Sequence, residues 1–225
     1  MTTLKFTPRT LEIIQNFSTI NPSLLFRKGS VIKTRNPSNN LYGTARVAEE
    51  FENEFAVYDL SRFLSILSTF TDPELKFGNR NATIVEGGRK LDYRFCEVED
   101  IVVAKADDMK IPKPFVKVDL PKAELQRVLK AQAILNLPEI IVEGVDGKIL
   151  LETTNTETKV TDLYSTEIGK TDQNFRVVVK SELLTKLSPD DYSMEISKNK
   201  TEGIISFKGK DIDYYVAPEP TSVYP

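Results

Sequence analysis

The cations of this chain gather on one side of its helical segments, and that arrangement suits one chemistry, the gripping of phosphate. Over residues 119–135, at about 100° per residue, Leu125, Val128, Leu129 and Leu135 share one face. Gln126, Arg127 and Lys130 take the opposite face, with Lys122 at its edge and Glu124 as the one acid. Around residues 7–18, Phe6, Thr10, Ile14 and Phe17 gather on one side. Lys5, Arg9, Gln15 and Asn16 gather on the other, Glu12 excepted. A helix over 59–70 buries Leu60, Phe63, Ile66, Leu67 and Phe70 and exposes Ser61, Arg62, Ser65, Ser68 and Thr69. A fourth, over 181–187, buries Leu183, Leu184 and Leu187 and exposes Lys186. Solvated helix faces usually mix both signs. These are basic and small-polar in a chain of net charge -3. The acids, among them Glu49, Glu50, Glu52, Glu54, Glu97, Glu99, Asp100, Asp190 and Asp191, fall on expected strands and turns. A surface of Lys, Arg, Gln and Ser is what sequence-independent phosphate contact requires.

Catalysis finds little to work with. Asp107-Asp108, Asp190-Asp191 and Asp211 with Asp213 are the carboxylate pairs that hydrolysis or a metal would use, but they fall in a connector, a turn and a strand start, where solvated acids are ordinary. With no histidine and Cys96 as the single cysteine, the usual general base and the Cys–His pair are absent, and zinc is almost excluded, leaving only carboxylate or carbonyl metal sites. Neither G-x-x-x-x-G-K-[ST] nor G-x-S-x-G occurs. The expectation is a non-enzyme without cofactor or metal.

The elements that must position the basic faces come in duplicate. Phe55-Ala-Val57-Tyr-Asp-Leu-Ser61-Arg-Phe63-Leu64-Ser65-Ile-Leu67-Ser68 returns 120 residues later as Phe175-Arg-Val177-Val-Val-Lys-Ser181-Glu-Leu183-Leu184-Thr185-Lys-Leu187-Ser188, matching at eight positions. Each copy reads as a strand running into a short amphipathic helix, one structural unit used twice. Thr7 and Pro8 start the first helix by a capping hydroxyl and a proline at the first helical position. Asp119 is the expected cap of the later one, with Pro121 in its first turn. Strands are expected at 24–28, 31–35, 41–47, 52–58, 75–77, 83–86 and 90–96. In the second half they are expected at 115–118, 139–143, 148–152, 158–168, 173–179, 192–197, 203–208 and 211–216. Residues 105–114, charged and holding two prolines, read as a connector. The expected architecture is α+β: similar domains over 1–104 and 115–225, each with two helices on mostly antiparallel sheet.

At 225 residues, 40% hydrophobic and 28% charged, the chain reads as an ordinary soluble protein of one large or two small domains. No apolar run approaches a membrane span, the N-terminus has no apolar signal region, and the lone cysteine fits a reducing cytoplasm.

Asn16-Phe-Ser-Thr-Ile-Asn21, Val31-Ile-Lys-Thr-Arg35, Tyr214-Tyr-Val-Ala217 and above all Val57-Tyr-Asp-Leu-Ser-Arg-Phe-Leu-Ser-Ile-Leu-Ser68 carry a family resemblance. The chain resembles the sliding clamps of T-even-type bacteriophages, the viral counterparts of proliferating cell nuclear antigen. The resemblance follows order and length along essentially the whole chain and is weakest at the connector and over 153–172. It implies the DNA clamp fold, a homotrimeric ring with helices lining the hole, and a processivity factor that encircles duplex DNA and tethers the replicative polymerase in the cytoplasm of an infected host. Lys5, Arg9, Arg62, Lys122, Arg127, Lys130 and Lys186 would then face DNA. Ring closure would pair the strand holding Lys90, Leu91, Asp92, Tyr93, Arg94, Phe95 and Cys96 with a neighbour's strand holding Lys159, Val160, Thr161, Asp162, Leu163 and Tyr164. Partner peptides would dock on Ile111, Pro112, Phe115, Val216, Ala217 and Pro218. A clamp loader ATPase and viral late transcription factors are further implied partners. The alternative is an adaptor of the same duplicated fold that does not bind DNA.

Overall fold

Thr7 and Pro8 do fix where the first helix begins. The computed structural model describes residues 3–107, 109–158, 160–199 and 202–225. In it the Thr7 hydroxyl accepts from the Thr10 N–H and Pro8 opens α1 (Pro8–Ile20), which follows a short strand β1 (Thr3–Leu4). The helix runs past the expected Ser18 because Ile20 is apolar and buried. It stops at Asn21, whose buried side chain is satisfied on every side. Its amide nitrogen donates to the Arg35 and Val102 carbonyls at 3.0 and 2.9 Å, and its oxygen accepts from the Ser23 N–H and hydroxyl. The chain's contacts divide it into two units, Met1–Asp108 and Met109–Pro225.

In the first unit β2 (Leu24–Phe26) pairs antiparallel with β5 (Phe55–Val57), and β3 (Gly29–Arg35) with β4 (Leu41–Phe51). A further antiparallel sheet runs β1, β6 (Glu74–Phe77), β7 (Asn81–Glu86), β8 (Arg89–Arg94), with β8 at its edge. The helix α2 (Leu60–Leu67) follows β5 directly and is capped by Asp59, whose carboxylate accepts from the Arg62 N–H. Phenylalanines fill the core: Phe26 stacks on Phe55 at 4.5 Å, and Phe6, Phe51, Phe63, Phe77 and Phe95 join by tilted and edge contacts. Such pairs add to the burial of large apolar surface. Val102, Val103, Ala104 and Ala106 offer their carbonyls to Asn21, Arg35, Arg27 and Lys33, so the start of the expected connector lies against this unit.

The second unit comprises β9 (Pro114–Leu120), α3 (Lys122–Leu135), β10 (Glu139–Val145), β11 (Lys148–Thr154), β12 (Tyr164–Lys170), β13 (Phe175–Lys180), the single turn α4 (Ser181–Leu184), β14 (Tyr192–Lys198), β15 (Gly203–Lys208) and β16 (Ile212–Val216). Its antiparallel sheets run β12-β11-β10-β13 and β16-β15-β14-β9. The core is mainly aliphatic, with Ile140, Val142, Leu151, Val177, Val179 and Leu184 all buried.

Several sequence expectations shift. Asp119 does not cap α3: it lies in β9 opposite Ser193, and Pro121 is the capping residue. The helix from Ser181 reaches only Leu184. Beyond it Lys186 and Leu187 donate to the third residue back, the tighter 3₁₀ pattern, which still buries Leu187. β4 continues to Phe51, and residues 52–54 are a turn instead of a strand. β8 ends at Arg94, so Phe95 and Cys96 lie beyond it. β12 starts only at Tyr164. The Thr154 hydroxyl donates to the Asp162 carbonyl and the Asn155 side chain accepts from the Glu157 N–H, so residues 155–158 and 160–163 lie outside any strand.

The repeat survives in detail. Ala56 of β5 forms an isolated antiparallel bridge with Cys96, and Arg176 of β13, its counterpart, forms one with Val223. The C-terminal segment thus lies along β13: Arg176 and Val223 exchange both N–H···O bonds at 2.8 and 2.7 Å, and the Glu219 N–H reaches the Val178 carbonyl. Tyr224 lies on Gly203, where any side chain would collide with its ring.

Candidate nucleic-acid interface

On α3 the predicted split of faces holds over the first turns, but Leu135, expected on the apolar face, is 38% exposed. Leu125 and Val128 are buried, while Lys122, Gln126, Arg127 and Lys130 are exposed. Arg127 pairs with Glu124, three residues earlier. Glu124 also accepts from the Thr166 hydroxyl of β12 at 3.3 Å. The Lys122 and Lys130 ammonium groups make no ion pair among the described residues. On α2, Arg62 is exposed beside Ser61, Ser65 and Ser68 and is likewise without an ion pair among the described residues. On α1, Arg9 is half-exposed and reaches Glu12 at 3.1 Å. Lys5 precedes the helix and donates to Asp72 at 2.5 Å. That hydrogen bond holds its ammonium above the ordinary lysine value. Lys186 sits half-buried just past α4, so no helical face presents it.

Three acids hold these helices in place: Glu49, Asp59 and Asp191. Glu49 is 7% exposed. It closes the start of α1, its two oxygens accepting from the Thr7 N–H and the Thr10 hydroxyl. The signal was present in the alternation of Leu41, Gly43, Ala45, Val47, Glu49 and Phe51, all buried on one side of β4. Asp191 accepts from the Lys122 N–H at 2.7 Å, supplying the cap that Pro121 lacks. Asp59 does the same for α2. Carboxylates are favourable at helix N-termini through both the free N–H groups and the helix dipole. Asp191→Ala is therefore expected to cost about 1 kcal/mol of stability, read by denaturant unfolding. A change under a few tenths would remove Asp191 from this role.

The other predicted positions are partly brought together. Lys90, Leu91, Asp92, Tyr93 and Arg94 lie in edge strand β8, with Tyr93 turned toward α2 against Phe63, ring centroids 5.0 Å apart. Phe95 instead packs on Phe55, and Cys96 pairs with Ala56. Burial pushes the Cys96 thiol above its ordinary value. β12 is also an edge strand, but of its predicted residues only Tyr164 belongs to it. Val160, Thr161, Asp162 and Leu163 sit in the preceding loop, Val160 93% and Leu163 60% exposed. Lys159 lies outside the described residues, as does Asp108 of the first carboxylate pair. In the expected peptide pocket, Val216 is 0% exposed and belongs to the core, a correction. Ile111, Pro112, Phe115 and Pro218 are half-buried and Ala217 exposed. The Phe115 ring meets Phe175 at 5.5 Å and Tyr224 at 6.2 Å, the latter missed by sequence. Among the described residues no acidic, cysteine or histidine cluster could hold a metal, and no helix is long and apolar enough to cross a membrane.

A duplicated α+β architecture with basic helix faces and uncovered sheet edges is the DNA clamp fold. The chain covers 98% of the proliferating cellular nuclear antigen of Entamoeba histolytica with a TM-score of 0.68 at 12% identity, over 96% of its own length. It covers 65% of a Helicobacter pylori beta clamp bound to a DNA ligase peptide, TM-score 0.68 at 14% identity, over 96% of itself. Residues 117–220 match the family described as gp45 sliding clamp, C terminal, and residues 6–86 that described as DNA polymerase processivity factor. The sliding clamp of Vibrio phage KVP40 is 30% identical over 96% of this chain and 99% of its own. That of Enterobacteria phage T4 is 25% identical over 98% and 99%. The chain belongs to the bacteriophage sliding-clamp family, whose members are DNA polymerase processivity factors and not enzymes. Membership does not favour the adaptor alternative.

Proposed function

We propose that three copies of this chain close into a ring around duplex DNA, with the exposed faces of α1, α2 and α3 turned to the duplex, and that the ring tethers the viral replicative polymerase in the host cytoplasm. The observation that carries the assignment is the α3 face: Lys122, Arg127 and Lys130 are exposed on a helix that buries Leu125 and Val128. Linkage by encirclement needs only weak, phosphate-directed contacts. Arg62, Arg9 and Lys5 add to that surface, the last two with charges already shared with Glu12 and Asp72. Lys186 contributes least.

Ring closure joins β8 of one copy to β12 of the next, which removes two strand edges that would otherwise template open-ended pairing. The exposed Val160 and Leu163, just ahead of β12, lie on that joint. Partner peptides, the polymerase's first, dock on Ile111, Pro112, Phe115, Ala217 and Pro218. A clamp loader ATPase opens the ring, and late transcription factors use the same surface.

Light scattering over a concentration series tests the assembly. The expected mass rises to about three times 25.4 kDa. A mass fixed at one chain at every concentration would sink the ring.

A further inference from the structure

The segment after β16 folds back over Phe115, one wall of the peptide pocket proposed above. It does so along β13, an edge strand of its sheet, whose outward backbone groups would otherwise template pairing with any extended chain. Residues 219–223 take those groups. Arg176 and Val223 exchange both N–H···O bonds, the Glu219 N–H donates to the Val178 carbonyl, and the Val178 N–H donates to the Ser222 hydroxyl at 3.0 Å. In the first unit Cys96 has the corresponding place on Ala56, and the adjoining Phe95 packs on Phe55 and Phe77.

The aromatic of the second unit is Tyr224. Its ring stands edge-on to Phe115 at 6.2 Å, and the Lys198 ammonium lies 5.1 Å from its centre. Gly203 makes the room: a Cβ there would fall on the Tyr224 hydroxyl and ring. Beyond this one ring the hold is slight. Val223 is 59% exposed, and Pro220, Thr221 and Pro225 are exposed as well. Segments that bury few apolar contacts open at the low end of the stability range. An edge strand beside an aromatic seat is also what an extended peptide uses, with backbone bonds for affinity and a side-chain cleft for specificity.

On the pocket assignment above, we propose that residues 219–224 are a displaceable strap. It holds the Tyr224 ring against Phe115 and its own backbone along β13 until an extended partner peptide with an aromatic side chain takes both positions. The strap lowers the apparent affinity for that partner in proportion to the fraction of time it stands open.

Binding of the replicative polymerase to the wild-type chain, Gly203→Ala, Tyr224→Ala and Val223→Ala tests this. Gly203→Ala expels the ring without altering the strap, and alanine suits a strand better than glycine does. For a strap open about one tenth of the time, Gly203→Ala and Tyr224→Ala should each tighten polymerase binding about tenfold. Val223→Ala, which alters only a solvent-facing side chain, should leave it unchanged. Saturating polymerase should also deprotect the wild-type Val223 amide in hydrogen exchange, because that N–H loses the Arg176 carbonyl. Unchanged or weaker binding by either Gly203→Ala or Tyr224→Ala, or a Val223 amide still protected in the complex, would overturn the strap. Phe115→Ala added to Gly203→Ala separates the two readings: with the strap already open, an unchanged affinity would overturn the pocket itself.

Discussion

Replacing Arg127 and Lys130 together by glutamate is expected to shorten the residence of the loaded clamp on DNA by at least about tenfold at physiological salt, with each lost phosphate contact lowering the slope of log affinity against log salt by about 0.9. Processive synthesis should fall with it, and monomer folding should not, because both side chains are exposed and neither packs in the core. Residence time and processivity measured at several salt concentrations check this. The result that would remove α3 from the duplex-facing surface is an unchanged salt slope in the double variant. Lys186→Glu gives the contrast: half-buried beyond a single helical turn, it should change the slope far less.

The second large effect is structural. Glu49→Ala is expected to destabilise the first unit by about 2–4 kcal/mol, since it strips two charge-assisted hydrogen bonds and a cap from the start of α1. At roughly 4–8 °C per kcal/mol for a unit of this size, the melting temperature should drop by about 10 °C or more. Glu49→Gln keeps an acceptor for the Thr7 N–H and should lose less than half as much. A melting curve for the alanine variant that overlays wild type would mean that Thr7 and Pro8 hold the helix start alone.

Periodicity made much of this legible in advance. The 100° spacing of Leu125 and Val128 against Arg127 and Lys130 located the α3 face, and the repeat at Phe55 and Phe175 located both strand-to-helix junctions. What stayed hidden depends on partners distant in sequence. Nothing near Asp191 indicates that it serves the helix starting at Lys122, 69 residues earlier. Glu49 was obscured differently: its charge suggested surface, while the alternation of β4 placed it inside. Thr158 and residues 160–163 have the β-branched composition of a strand, yet side-chain bonds at Thr154 and Asn155 keep them out of one. The packing of Val223 and Tyr224 back on β13 and Phe115 is likewise hidden in the sequence.

The carboxylates at the starts of α1, α2 and α3 bear on how such a protein could move along DNA. Free helix N-termini are ready-made cradles for anions, and a phosphate seated in one is held at a fixed point by rigid backbone donors. Here Glu49, Asp59 and Asp191 already occupy those positions. On the ring proposed above, long side chains such as Lys122, Arg127 and Lys130 are left to meet the duplex, and they would hand one phosphate to the next without a preferred stopping place. In that assembly the caps that stabilise the helices would also keep friction low.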